Sequence, residues 1–147
     1  MKRTKLFFAA LVCLFSVNTV CYADGRPIPP TQLPAAAQSF IQNNFPGKTI
    51  VYAEIDKEFM KTKYEVNLND GTEIDFYKDG TFDKVDCHVA PVPAASVPAT
   101  IQQYVKANFP GCVITKIDKE RYGYDIELSN DLDLKFNYQG VLIGMDD

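Results

Sequence analysis

The chain has no tryptophan and a single histidine, His88. One histidine cannot build a multi-histidine zinc site, and no nucleophile elbow accompanies it to suggest a Ser-His-Asp triad. A Gly-rich phosphate loop and an HExxH helix are also missing. Beyond the N-terminus lysine and arginine are not clustered, so the counterion release that drives nucleic-acid binding has no footprint there. Beyond the N-terminus no apolar run approaches the roughly 20 residues that a spanning helix needs. Carboxylate pairs such as Asp56 with Glu58 and Asp131 with Asp133 are ordinary in a chain with 19 acidic residues. The segment Asn67-Leu68-Asn69-Asp70-Gly71 echoes a calcium loop without its 12-residue pattern or terminal Glu. No catalytic residue, metal or cofactor is therefore assigned, and the chain reads as a non-enzyme.

What is present is 147 residues, 46% hydrophobic and 23% charged, enough for one globular domain or two very small ones. Residues 1–23 read as a signal peptide. Lys2, Arg3 and Lys5 form a basic start, Leu6 to Val17 is largely apolar, and Ala23 supplies the small residue before cleavage. The expected location is the periplasm or outside the cell, with no transmembrane span in the mature chain. Lipid attachment at Cys21, giving an outer-membrane lipoprotein, is less favoured because Val20 is a poor neighbour for that processing. Losing Lys2, Arg3 and Lys5 leaves 12 basic against 19 acidic residues, formally −7. That balance suits solubility or a basic partner.

Cys87 and Cys112 remain after cleavage. In an oxidising compartment they have the option of one bridge, worth on the order of 3 kcal/mol by loop entropy, or of standing free. Their spacing fits neither a CxxC redox site nor a four-ligand metal site, and His88 reads as a linker residue.

The strongest signal is an internal repeat. Leu33-Pro34 and Phe40 to Gly47 recur as Val97-Pro98 and Tyr104 to Gly111, at an offset of 64. Ile55-Asp56-Lys57-Glu58 recurs as Ile117-Asp118-Lys119-Glu120, and Tyr64 to Leu68 as Tyr124 to Leu128, where the offset has fallen to 60. The length differences are assigned to two loops. The reading is a Pro-rich, loose leader at 24–31, repeat 1 at 32–88, a linker at 89–96 and repeat 2 at 97–147.

Each repeat opens with a short helix. Ala37, Phe40, Ile41, Asn44 and Phe45 fall at three- and four-residue steps, as do Ile101, Tyr104, Val105, Asn108 and Phe109. Pro34 and Pro98 stand where a missing N–H costs little, and Pro-Gly at 46–47 and 110–111 stops the helix. Period-two alternation follows. A three-residue loop at Asn69-Asp70-Gly71 pairs Val66 with Ile74 and Tyr64 with Phe76 on one apolar face. Ser129-Asn130-Asp131 pairs Ile126 with Leu134 and Tyr124 with Phe136 in the same way, with Asp131 replacing the glycine at some cost. Further turns at Asp79-Gly80 and Gln139-Gly140 complete the pattern, although Lys84 does not continue the apolar face that Phe82 sets. The fold expected is α+β, a tandem repeat of a helix packed on an antiparallel sheet of about four strands per unit, the two units sharing a core.

The same register exposes the other face. Glu65 stands opposite Asp75, Asn67 opposite Glu73, Asp125 opposite Lys135 and Glu127 opposite Asp133. Like charges directly opposite are mildly destabilising, so an acidic open face is a candidate for use by a partner. Its candidate residues are Glu65, Asn67, Glu73, Asp75, Tyr77, Glu127, Asp133 and Lys135, with Tyr52 and Tyr122 as additional contact area.

The helix ending Asn44-Phe45-Pro46-Gly47, the strand Ile55 to Glu58, the hairpin Tyr64 to Gly71 and the segment Phe76 to Gly80 together resemble the secreted PepSY-like, beta-lactamase-inhibitor-like family of Bacteroides-type bacteria. The resemblance covers nearly the whole mature chain and matches that family's tandem layout. It implies a helix-plus-antiparallel-sheet fold in the envelope and a role in binding or inhibiting another protein. The matching residues look structural, so no inhibitory residue carries over. The reading is a non-catalytic envelope or secreted protein-binding module, with inhibition of an envelope hydrolase as the role the resemblance implies. The alternatives are a small-molecule or peptide carrier using the groove between the units, and an envelope structural or assembly component.

Overall fold

The computed structural model describes residues 25–58 and 60–147. The signal segment, its cleavage site and Cys21 lie outside the described residues. Among the described residues nine strands form one sheet: β1 (Arg26–Pro27), β2 (Ile50–Glu58), β3 (Lys61–Leu68), β4 (Glu73–Tyr77), β5 (Phe82–Asp86), β6 (Ile114–Glu120), β7 (Gly123–Leu128), β8 (Asp133–Asn137) and β9 (Leu142–Asp146). They lie in chain order and every neighbouring pair is antiparallel. Helices α1 (Ala35–Asn44) and α2 (Ala99–Asn108) supply the helical part of this α+β fold.

Both helices begin after a proline N-cap and a one-turn 3-10 segment. The Gln38 side chain donates to the Leu33 carbonyl at 2.8 Å, and Gln102 repeats this on Val97 at 2.8 Å. These bonds tie the first turn of each helix back to the residue before its proline N-cap, which itself offers no side-chain cap. Ala37 and Ile41 of α1, and Ile101 and Val105 of α2, are buried, so the periodic face found in each sequence copy is the one turned inward. Phe40 meets Phe76 edge-on with centroids 5.7 Å apart, and Tyr104 meets Phe136 at 5.3 Å. One hydrophobic cluster runs through both halves.

The two loop-defined hairpins have the expected register, with Val66 on Ile74, Tyr64 on Phe76, Ile126 on Leu134 and Tyr124 on Phe136. Gly71 and Asp131 close their loops at φ of +89° and +64°, a region that an L side chain occupies at a cost. The difficulty at Lys84 has a physical cause. Phe82 pairs with Phe76 and Lys84 with Asp75, so Asp83 is the extra residue of a β-bulge. The bulge resets the alternation, and Phe82 and Val85 both reach the helix side.

Three expectations need correcting. The leader is not loose: Arg26 and Pro27 pair with Ile55 and Glu54, and the Ile28 N–H donates to the Ala53 carbonyl at 2.9 Å. Ile28 packs on the core, and backbone pairing plus that contact outweigh the Pro-rich composition. The length difference is not shared between two loops. Ala53 faces Val66 as Ile117 faces Ile126, so β2 and β6 match at an offset of 64 while β3 and β7 match at 60. All four extra residues sit in the β2–β3 hairpin, and the Ile-Asp-Lys-Glu match is two residues out of register. The bridge left open for Cys87 and Cys112 is not formed; Cys87 is a buried free thiol and Cys112 a half-buried one. His88 does more than link, since its Nε2 lies 3.0 Å from the Gly71 carbonyl and its backbone N–H donates to Asp86.

Candidate binding face

Helices cover one side of the sheet, and the residues that alternate with the core line the other. Lateral pairing arranges them in two rows. The first runs Glu54, Glu65, Asp75, Lys84, Asp118, Asp125, Lys135 and Gly144 across eight strands. The second runs Tyr52, Asn67, Glu73, Asp86, Lys116, Glu127, Asp133 and Asp146. Apart from Lys84, Lys116 and Lys135, every charged member is a carboxylate. A shorter third row sets Asp56 beside Lys63 and Lys63 beside Tyr77.

All eight sequence-predicted residues lie on this face. Glu65, Asp75 and Lys135 fall in the first row, Asn67, Glu73, Glu127 and Asp133 in the second, and Tyr77 in the third. The pairing of β5 with β6 joins the two halves of each row, setting Lys84 beside Asp118 and Asp86 beside Lys116. Sequence reasoning missed those four. The hairpins that fixed the other residues are local, whereas this junction spans the linker and α2.

The electrostatics follow from crowding. Burial raises the Asp75 carboxyl above its ordinary value; Lys84 and Lys63 pull it back, and Asp83 and Glu73 push it further up. Burial, then Asp75 and Glu54, raise Glu65, and burial with Asp83 and Glu120 raises Asp118. Burial works against the Lys84 charge, but Asp75, Glu73, Asp86 and Asp118 outweigh it and hold the ammonium above its usual range. Its Nζ lies 3.6 Å from Glu73 and 3.8 Å from Asp75. The Tyr52 hydroxyl donates to Glu54 at 2.6 Å, and Tyr122, in the turn between β6 and β7, donates to Asp125. Lys135 holds Asp146 at 2.7 Å.

A polar cleft of about 860 Å³ opens beside the third row, with Lys63, Asp75, Tyr77, Asp83, Asp118 and Tyr138 among its lining. Asp83, buried by the bulge that creates it, is held by the Lys63 ammonium at 2.5 Å. That hydrogen bond is the chief reason Lys63 sits above its usual range. Tyr77 is raised as well, by burial and by its hydrogen bond to Asp83. The calcium-like loop is otherwise engaged: Asp70 accepts the Thr72 N–H at 3.1 Å and pairs with Lys48 at 3.1 Å. Among the described residues no group of three or more His, Cys, Asp or Glu is arranged to hold a metal ion. On the helix side, two apolar grooves of about 730 and 440 Å³ lie under the C-terminal ends of α2 and α1, one in each half rather than between them.

A family model described as "Putative beta-lactamase-inhibitor-like, PepSY-like" matches residues 21–63 and 62–144. The chain belongs to the PepSY-like family. Three solved structures share this PepSY-like fold. A "putative periplasmic protein" of Bacteroides vulgatus is 34% identical with a TM-score of 0.81, covering 84% of this chain and 98% of its own. A "putative calcium-regulated periplasmic protein" of Bacteroides thetaiotaomicron is 37% identical with a TM-score of 0.80, over 84% and 98%. A second B. vulgatus protein, "of unknown function", is 33% identical at 0.80, over 84% and 99%. No protein of curated function matches. No helix among the described residues of this PepSY-like chain is long and apolar enough to cross a membrane.

Proposed function

We propose that this protein is a non-catalytic binding module of the cell envelope, built from two units of one helix and four strands, whose open sheet face docks a basic surface of another envelope protein. The observation that carries this reading is the pair of carboxylate-rich rows that cross both halves, ten carboxylates against the three lysines Lys84, Lys116 and Lys135. An isolated domain gains nothing from like charges at adjacent positions such as Glu65 and Asp75 or Glu127 and Asp133, since each pair lowers stability. A cationic partner reverses that sign, because lysine or arginine laid along the rows relieves the repulsion it meets. The family description supports inhibition of a partner hydrolase as the outcome of docking. Carboxylates held above their ordinary range release protons when a cation approaches, so binding should weaken as pH falls through that range.

The test is affinity capture from envelope extract, with the exported protein beside a variant carrying Glu65→Lys, Glu73→Lys and Asp75→Lys, read by quantitative mass spectrometry at physiological and high salt. The expected result is one stoichiometric, salt-sensitive partner that the variant loses. A partner retained equally by the variant, or none at all, removes the open face from consideration. If the partner is a hydrolase, its turnover with and without the protein tests inhibition directly.

A further inference from the structure

The helix side of the sheet carries one groove twice, and only the first copy has a polar mouth. Ile41, Gln42, Phe45, Lys48, Thr49 and Ile50 line the groove of about 440 Å³ under the end of α1. The repeat offset of 64 carries these positions to Val105, Lys106, Phe109, Cys112, Val113 and Ile114, and all six line the groove of about 730 Å³ under the end of α2. The floor is apolar in both, since Ile41, Phe45 and Ile50 become Val105, Phe109 and Ile114. The mouth differs. Lys48, which pairs with Asp70 at 3.1 Å, gives way to Cys112, and Thr49 gives way to Val113. Asn130 stands in the second hairpin loop where Asp70 stands in the first, so both members of the ion pair are replaced together. The result is a half-buried thiol beside a valine that is 40% exposed. Apolar side chains gathered at the mouth of a groove gain from being covered.

The cation missing from the mouth is found on the rim. Lys106 replaces Gln42 in the last turn of α2, and it is the one charged residue lining this groove. Among the described residues it takes part in no ion pair. A lysine here also complements the negative end of the helix dipole. The fold does not require it, because α1 ends in the same Asn-Phe-Pro-Gly sequence with no basic residue in its last turn.

We propose that the α2 groove binds a free long-chain fatty acid, with the tail against Phe109, Cys112 and Val113 and the carboxylate on Lys106. Three observations select this occupant. The volume falls within the roughly 300–1,000 Å³ of small-molecule sites. The lining is apolar with one cation and no acid, which is the complement of a hydrocarbon chain ending in a carboxylate. The α1 groove offers neither the room nor the free charge, since it is smaller and Asp70 already neutralises its lysine. The site lies across the sheet from the carboxylate rows and stands or falls independently of what docks on them.

cis-Parinaric acid, an intrinsically fluorescent fatty acid, should saturate the exported protein at one molecule per chain. Lys106→Gln installs the first-half residue at an exposed position and should weaken binding about threefold to fivefold, the worth of one exposed ion pair. Parinaryl alcohol should bind the parent chain more weakly by a similar factor. Cys112→Lys with Val113→Thr rebuilds the α1 mouth and should weaken binding by about tenfold or more. The parent chain also reports where the ligand sits. Alkylation of the half-buried Cys112 by N-ethylmaleimide, read by peptide mass spectrometry, should slow as the fatty acid is added, with the buried Cys87 as internal reference. Binding that never saturates overturns the proposal, and so does binding that leaves Cys112 alkylation unchanged. Two molecules bound with equal affinity overturn the choice of groove. Equal binding of the alcohol, or indifference to Lys106→Gln, overturns the carboxylate on Lys106.

Discussion

The two halves of the sheet repeat one pattern and do not bury it alike. Val51 and Thr115 occupy the same bulge in β2 and β6, yet Val51 is 63% exposed while Thr115 is 1%. The cause is what lies alongside. The Cys87 N–H donates to Thr115 and the Val92 N–H to Ile114, so the linker covers β6 where the two-residue strand β1 leaves Val51 open. The same asymmetry separates buried Asp83 from exposed Ile143. Burial here is decided by position in the array, and the residues have followed: each half carries at its inner edge a side chain that the outer edge does not need.

That comparison can be strained at several depths. The centres of the halves should be equivalent, since Phe76 and Phe136 are both fully buried and each meets the aromatic ring of its own helix. Phe76→Ala and Phe136→Ala should each cost about 3–5 kcal/mol in chemical denaturation. A cost confined to one would show that only that half carries the shared core. The hairpin loops should respond with opposite signs. Gly71→Asp forces a side chain into φ of +89° and should lose about 1 kcal/mol, whereas Asp131→Gly relieves φ of +64° and should gain somewhat less than that, Gly having more entropy to lose. Equal signs would mean that the loops are not interchangeable.

The smallest effect concerns protons. Glu65, Asp75 and Asp118 have folded pKa values above their ordinary ones, so between those values the folded chain binds more protons than the unfolded chain. Stability therefore falls as pH rises through that window, and the melting temperature should climb on mild acidification from neutrality. Asp70 and Asp79 act oppositely and lower down. Burial disfavours the Asp70 charge, but Thr72 and Lys48 outweigh it, and Thr81 holds Asp79 low; stability from both is lost only as pH falls below the ordinary carboxylate range. Asp75→Asn should raise the melting temperature at neutral pH and flatten the mild-acid rise; an unchanged slope would place the effect elsewhere.

The hairpins were legible because three-residue loops and period-two alternation fix a register locally, and the open-face pairs Glu65–Asp75 and Glu127–Asp133 came with them. The β5–β6 junction was not, since nothing within a few residues of Lys84 or Asp118 signals the partner. Asp83 concealed the path of β5, because an inserted residue flips every later side chain. The Ile-Asp-Lys-Glu match misled for the complementary reason: a slip of two preserves which face each residue occupies, so a period-two pattern cannot detect it. Arg26 and Pro27 were hidden by composition, proline being a poor advertisement for a strand that needs only to close an edge.

Strand order across this sheet is also chain order. Each strand therefore finds its neighbour just made, with only the α1 crossing between β1 and β2 and the α2 crossing between β5 and β6 to wait for, and the topology has low contact order for a β-rich protein. A chain entering an extracytoplasmic compartment N-terminus first can lay its sheet down from one side to the other as it emerges. The last strand added is then the one whose Val141, Ile143 and Met145 stay exposed, so that this apolar end of the sheet is finished only after the other strands have been folded away.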